Sequence, residues 1–292
     1  MEVVDSNKHQ ISPINSSEEK EWKGGFSKIG SMRGPFAWLV PEYLRQGLGF
    51  TLIYAAYMFF YFNRKNYAFW LNEMITLGRN KEDISIFGSV MEFSYGFGKL
   101  IAGPLVDSKP PYVVLVVTLG IASLCNLLMF QSDSLLINYA LWSINGLVQS
   151  AAWPALAAIF LNWFKLSPYR GTWYSILSTN QNFGSALCPI LLTPLVKDYG
   201  WRIAVTGPGI SGMVMTVVLF MFLQEFPSEH YVDGSCDKSI KKTQGNKSSW
   251  VTVLSDMVTN PYLLGLGIGY SFLSLIRVGI SGKYILVVRL CC

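Results

Sequence analysis

Arg64 and Lys65 stand side by side in an otherwise uncharged stretch: Gly47 to Phe62 carries no charge, and the apolar run resumes from Tyr67 to Leu71. A permanent cation at membrane depth is costly, and one retained there usually serves a partner, a water-filled cavity or a substrate. Far along the chain, Arg277 lies in another uncharged run that begins at Pro261, and each arginine falls 16 or 17 residues into its segment. The planar guanidinium fork binds the oxygens of phosphate or carboxylate in pairs and stays charged when buried, so two arginines at matching depth suit an anionic ligand. Lys99 is a further basic residue in an apolar segment, and Glu92 precedes it by seven residues. That spacing is two helical turns, which places both on one face about 10 Å apart along the axis. Gln181, between Asn180 and Asn182, offers a hydrogen-bond donor that does not titrate.

Each of these residues also has a plainer reading. A basic pair after 16 apolar residues could end a short span and snorkel to the headgroups, and Lys99, four residues before Gly103, could do the same at the cytoplasmic surface. Because adjacent helical residues point about 100° apart, Arg64 and Lys65 share a cavity only if it is wide. Gln181 could simply bond one helix to another. Enzyme chemistry finds no support: His9 and His230 lie in polar stretches, no serine or cysteine has a base within its motif, and no glycine-rich loop precedes a lysine in a phosphate-binding pattern. Cys125, Cys188, Cys236, Cys291 and Cys292 show no metal or disulfide spacing, so neither a metal nor a cofactor is expected.

The elements that must position these residues are membrane helices. The 292 residues are 51% hydrophobic and 14% charged, more apolar than a soluble domain. Seven segments approach the roughly 20 apolar residues a span requires: 47–71, 84–106, 112–130, 135–164, 172–196, 202–224 and 261–281. With the amino terminus inside, thirteen Lys and Arg fall in cytoplasmic segments against four to six outside, which favours a cytoplasmic amino terminus. The net charge of +5 is mostly this bias and implies no nucleic-acid partner. Residues 1–45 read as a cytoplasmic tail without the apolar core of a signal peptide, and 225–260, rich in Gly, Ser, Lys and Asp, as a central cytoplasmic loop. The fold expected is an all-α multi-pass membrane bundle: a six-helix half over 46–224 and a seventh helix over 261–281.

Gly103-Pro-Leu-Val-Asp107-Ser-Lys109, between the second and third segments, resembles the loop signature of the major facilitator superfamily. Tyr61-Phe-Asn-Arg-Lys-Asn66, Leu141-Trp-Ser-Ile-Asn-Gly-Leu-Val-Gln149 leading to Trp153-Pro154, and Gly171-Thr-Trp-Tyr-Ser-Ile-Leu-Ser-Thr-Asn180 resemble its organophosphate:phosphate antiporters. The likeness is strongest to the members that exchange glucose 6-phosphate at the endoplasmic reticulum. It implies two six-helix halves around one phosphate site, alternating access, and exchange of an organophosphate for inorganic phosphate. It also implies roles: Arg64 and Arg277 as the phosphate clamp, Lys65 beside the first arginine, Lys99 lining the pore, and Gln181 where the bacterial carriers have a histidine. Glu92 departs from the family, which usually has an uncharged residue there.

After Ser281 the resemblance stops, because the family continues with aspartate and tryptophan where this chain reads Gly282-Lys283-Tyr284. Residues 282–292 are therefore expected to be an aberrant tail, translated from a retained intron, since Gly-Lys-Tyr can be encoded across the usual intron start. A chain with seven of the expected helices is expected not to transport by itself. Reconstituted vesicles holding the purified 292-residue chain should show no exchange of glucose 6-phosphate for phosphate, and robust exchange would contradict this.

Overall fold

The computed structural model describes residues 41–67, 69, 80–131, 134–165, 167–200 and 202–223, together with 259–262, 264–269, 272, 273 and 276. The chain divides into two units, Met1–Pro227 and Ser228–Cys292. The first is a helical bundle of α1 (Glu42–Lys65), α2 (Lys81–Ser108), α3 (Pro111–Gln131), α4 (Leu135–Gln149), α5 (Ala152–Phe164), α6 (Arg170–Ser178), α7 (Asn180–Tyr199) and α8 (Arg202–Phe222). In the second unit the described residues are helical apart from Asn260, and Tyr262, Leu264, Leu266, Ile268, Phe272, Leu273 and Ile276 are exposed. Arg277, the tails at 1–40 and 282–292 and the stretch 225–258 lie outside the described residues.

Among the described residues, three stretches, Pro111–Met129, Leu135–Phe164 and Arg202–Phe222, are long and apolar enough to cross a membrane by length and composition. Three of the other helices carry the polar residues of interest, which lowers their hydropathy: Arg64 and Lys65 on α1, Glu92 and Lys99 on α2, and Gln181 on α7.

Several boundaries differ from the sequence expectation. The Gly103–Ser108 stretch is the last turns of α2, and the connection to α3 shrinks to Lys109 and Pro110. Pro104 is accommodated inside α2; membrane bundles tolerate proline because neighbouring groups satisfy the freed carbonyl. Lys99 thus sits well inside a continuous helix. The fourth segment, expected as one helix, breaks at Ser150–Ala151. Pro154 is the cause: it lacks the N–H that would bond Ser150, and its ring crowds that carbonyl. Ser150 Oγ instead donates to the Leu147 carbonyl at 2.6 Å. The fifth segment breaks at Thr179, where Ser175, Ser178 and Thr179 each turn a hydroxyl back onto a carbonyl three or four residues earlier. Such back-bonding competes with the helical ladder and bends it.

Packing follows membrane rules, with close backbone approach in place of hydrophobic drive between helices. α2 lies against α4, α4 against α3, α3 against α8, and α8 against α1 and α7. Gly146 on α4 faces the Met91 carbonyl of α2 so closely that an added Cβ would lie 2.7 Å from it. The main core joins α1, α3, α5 and α8 through Ile53, Phe60, Leu115, Leu119, Leu156 and Leu219. Buried Asn63 and Asn126 tie α1 to α3, the Asn126 amide donating 2.6 Å to Asn63 Oδ1 and 3.1 Å to its carbonyl, while Asn66 donates to Asn126 Oδ1. Phe93, Phe97 and Leu100 on α2 are exposed, as lipid-facing residues are.

The Gly146 contact is testable. Gly146→Leu should cost about 1–3 kcal/mol by overpacking and lower the midpoint of thermal unfolding in detergent, whereas Gly103→Leu, which meets open space, should be nearly neutral.

Candidate substrate site

The helix α1 shows three sectors, and the 100° step per residue assigns them. Tyr57, Tyr61 and Arg64 follow one another at spacings of four and three and share one sector. Asn63 and Asn66 face α3. Phe62 packs with Cys188 and Leu192 of α7, with Met58 beside them. Lys65 belongs with this third sector, three residues on from Phe62 and seven from Met58.

The structure therefore separates the adjacent basic pair. Arg64 turns toward α2 and places Cζ 3.8 Å from the centre of the Tyr95 ring and 5.7 Å from that of Tyr61. Lys99, one turn beyond Tyr95, brings Nζ within 4.8 Å of the centre of the same ring. One tyrosine thus holds two cations from two helices. Arg64 is half-buried and Lys99 exposed, so the cation–π contact contributes more at the guanidinium, approaching about 2 kcal/mol as it is desolvated, and about 0.5–1 kcal/mol at the ammonium. The Nε of Arg64 is buried and has no hydrogen-bond partner. A charged donor left this way is costly unless a ligand completes it.

Gln181 joins the same region. Tyr61 Oη donates to Gln181 Oε1 at 3.1 Å, one turn of α1 from Arg64. Gly184 eases this approach: a Cβ there would lie 3.2 Å from the Met58 carbonyl, a tight contact that would push α7 and α1 apart by a few tenths of an ångström. Beside Gln181, Asn180 is fully buried with neither amide atom bonded. Tyr57 continues the aromatic lining, its ring centre 5.4 Å from Tyr61 and 5.0 Å from Trp153, and Trp153 meets Tyr174 of α6 at 6.1 Å.

Of the sequence-derived candidates, Arg64, Lys99 and Gln181 converge around Tyr61 and Tyr95. Lys65 takes a different sector, and Arg277 lies outside the described residues. The tyrosines were not anticipated as site residues, yet their spacing to the cations carried the signal: Tyr57 and Tyr61 at seven and three before Arg64, Tyr95 four before Lys99. Cys125 and Cys188 are buried free thiols, and no group of His, Cys, Asp and Glu able to hold a metal occurs among the described residues.

A multi-pass helical bundle with paired cations on an aromatic lining is the architecture of a membrane transport protein. A sequence profile of the Major Facilitator Superfamily matches residues 53–286, and the chain belongs to that superfamily, one of transporters rather than enzymes. Its relatives fit the organophosphate:phosphate antiporters within it. It is 30% identical over 250 residues to a probable hexose phosphate transport protein of Chlamydia pneumoniae, covering 80% of this chain and 54% of that one. It is 25% identical over 237 residues to the membrane sensor protein UhpC of Salmonella typhimurium, covering 78% of this chain and 53% of the relative. The glucose-6-phosphate exchanger SLC37A2 of Bos taurus is 28% identical over 157 residues, 51% of this chain and 31% of that one. The chain spans about half the length of the two bacterial relatives.

The ring between the cations can be probed without any substrate. Tyr95→Leu should raise the rate at which phenylglyoxal modifies Arg64, read by peptide mass spectrometry, while Tyr95→Phe, which keeps the π face, should not.

Proposed function

We propose that this chain belongs to a secondary transporter that binds an organophosphate, foremost a hexose phosphate such as glucose 6-phosphate, and exchanges it for inorganic phosphate by alternating access in the endoplasmic reticulum membrane. The observation that carries the reading is Arg64 beside Lys99 on the Tyr95 ring, with a buried guanidinium nitrogen lacking a partner. The names of the chlamydial and bovine relatives support the substrate class; the compartment rests on the motif likeness. In this reading, 46–224 form the amino-terminal six-helix half, 225–260 the central cytoplasmic loop, and 261–281 the first helix of the other half. The sequence adds Lys65 and Arg277 as further cations for the same ligand.

Phosphate monoesters are close to dianionic at neutral pH, and each loses hydration on entering the bundle. At about 4 Å and an effective dielectric near 20, one cation–phosphate pair contributes on the order of 4 kcal/mol, so two fixed cations can replace the lost water. An empty site would leave Arg64 and Lys99 repelling each other across Tyr95, which disfavours return without a bound anion and so favours exchange over leak. Glycerol 3-phosphate is the alternative substrate, because the cations contact only the phosphate. A second reading, a sugar-phosphate sensor on the same fold, draws on the name of the Salmonella relative; it binds without turnover.

The purified 292-residue chain in nanodiscs should bind labelled inorganic phosphate, and glucose 6-phosphate should displace it. Arg64→Ala should weaken binding about a hundredfold and Arg64→Lys about tenfold through loss of the paired contact, with Lys65→Ala causing a smaller loss than either. Undiminished binding by Arg64→Ala and Lys99→Ala would overturn the site.

A further inference from the structure

Glu92 is the one acidic residue on the stretch of α2 between Asp83 and Asp107, and it is exposed. Its helical register decides where it stands. Met91 and Ser94 face α4, meeting Gly146 and Ser143 respectively. Phe93, Phe97 and Leu100 form the exposed apolar strip. Glu92 falls between these sectors, on the face of Tyr95 and Lys99, three residues before the ring and seven before the ammonium. Tyr67, just past the end of α1, reaches the same level: it packs against the cluster that includes Phe87 and Met91 of α2, and its ring centre lies 5.9 Å from that of Trp142. Two layers result, cations on Tyr95 in one and a carboxylate with a phenol about one helical turn, roughly 5 Å, from that ring in the other.

We propose that Glu92 selects the organic part of the substrate: it accepts hydrogen bonds from the hydroxyls of a polyhydroxylated phosphate monoester and repels phosphorylated carboxylates. This rests on the anion-site reading above. With phosphate on Arg64 and Lys99, the carbon chain of a bound monoester extends by about one helical turn to the level of Glu92 and Tyr67. A carboxylate there is an acceptor only, matched to sugar hydroxyl donors. A ligand carboxylate at the same level would meet a like charge at close range, a penalty that provides discrimination. Inorganic phosphate has no such chain and meets Glu92 only through the phosphate charge, which all three ligands share.

The test compares binding of inorganic phosphate, glucose 6-phosphate and 3-phosphoglycerate to the purified chain in nanodiscs. In the unaltered protein glucose 6-phosphate should outcompete 3-phosphoglycerate. Glu92→Gln, close to isosteric, should shift that ratio toward 3-phosphoglycerate by about tenfold or more, while the gain in affinity from the lost charge is shared by inorganic phosphate and glucose 6-phosphate. Glu92→Asp, which keeps the charge, should still exclude 3-phosphoglycerate. If phosphate binds and needs Arg64 but Glu92→Gln leaves the ratio unchanged, the role of Glu92 is wrong while the anion site stands. If the unaltered chain binds no phosphate at all, both are wrong.

Discussion

The bundle is organised around keeping the positive charge of Arg64 at membrane depth. Water cannot solvate it there, so the protein supplies π faces: Tyr95 at 3.8 Å and Tyr61 at 5.7 Å. Tyr61 in turn depends on Gln181, and Gly184 eases the approach of α7 to α1. A chain of modest contacts thus fixes the direction of one guanidinium. Rings stabilise the cation without satisfying all its donors, which leaves hydrogen-bonding capacity for an anion.

The opposite side of α1 shows the complementary strategy. Asn63, Asn66, Asn126 and Ser123 are buried and bond one another between α1 and α3, so the helix is clamped by neutral polar groups immediately beside the charged face. Charge on one face and a buried polar network on the other hold the rotation of α1. That rotation is what sends Arg64 toward α2 and Lys65 toward α7, although the two are neighbours in sequence.

The helix interruptions fit the same picture. Breaks at Ser150–Ala151 and at Thr179 fall next to Trp153 and Gln181, two residues that border the tyrosine-lined face. In both, the chain stays near helical geometry and only the hydrogen-bond ladder shifts. Helices of this superfamily's transporters must adjust as access alternates, and locally weakened ladders are where a membrane helix bends at least cost.

Much of this was legible in the sequence because the relevant physics is local. Lengths of apolar segments, the position of the charges and the motif at Tyr61–Asn66 led to an all-α transporter bundle and to Arg64, Lys99 and Gln181. Proline at 154 and the hydroxyl run at 175–179 carried the helix breaks, but a hydropathy reading averages over them and returns one continuous segment. What the sequence could not decide was direction. Arg64 and Lys65 have the same charge and nearly the same depth, and only the packing of α1 against α2, α3 and α7 separates them. The same holds for Tyr95, an ordinary aromatic in the sequence: two cations reach one ring only when helices distant in the chain meet, and that meeting is set by glycine contacts and buried amides that no single segment contains.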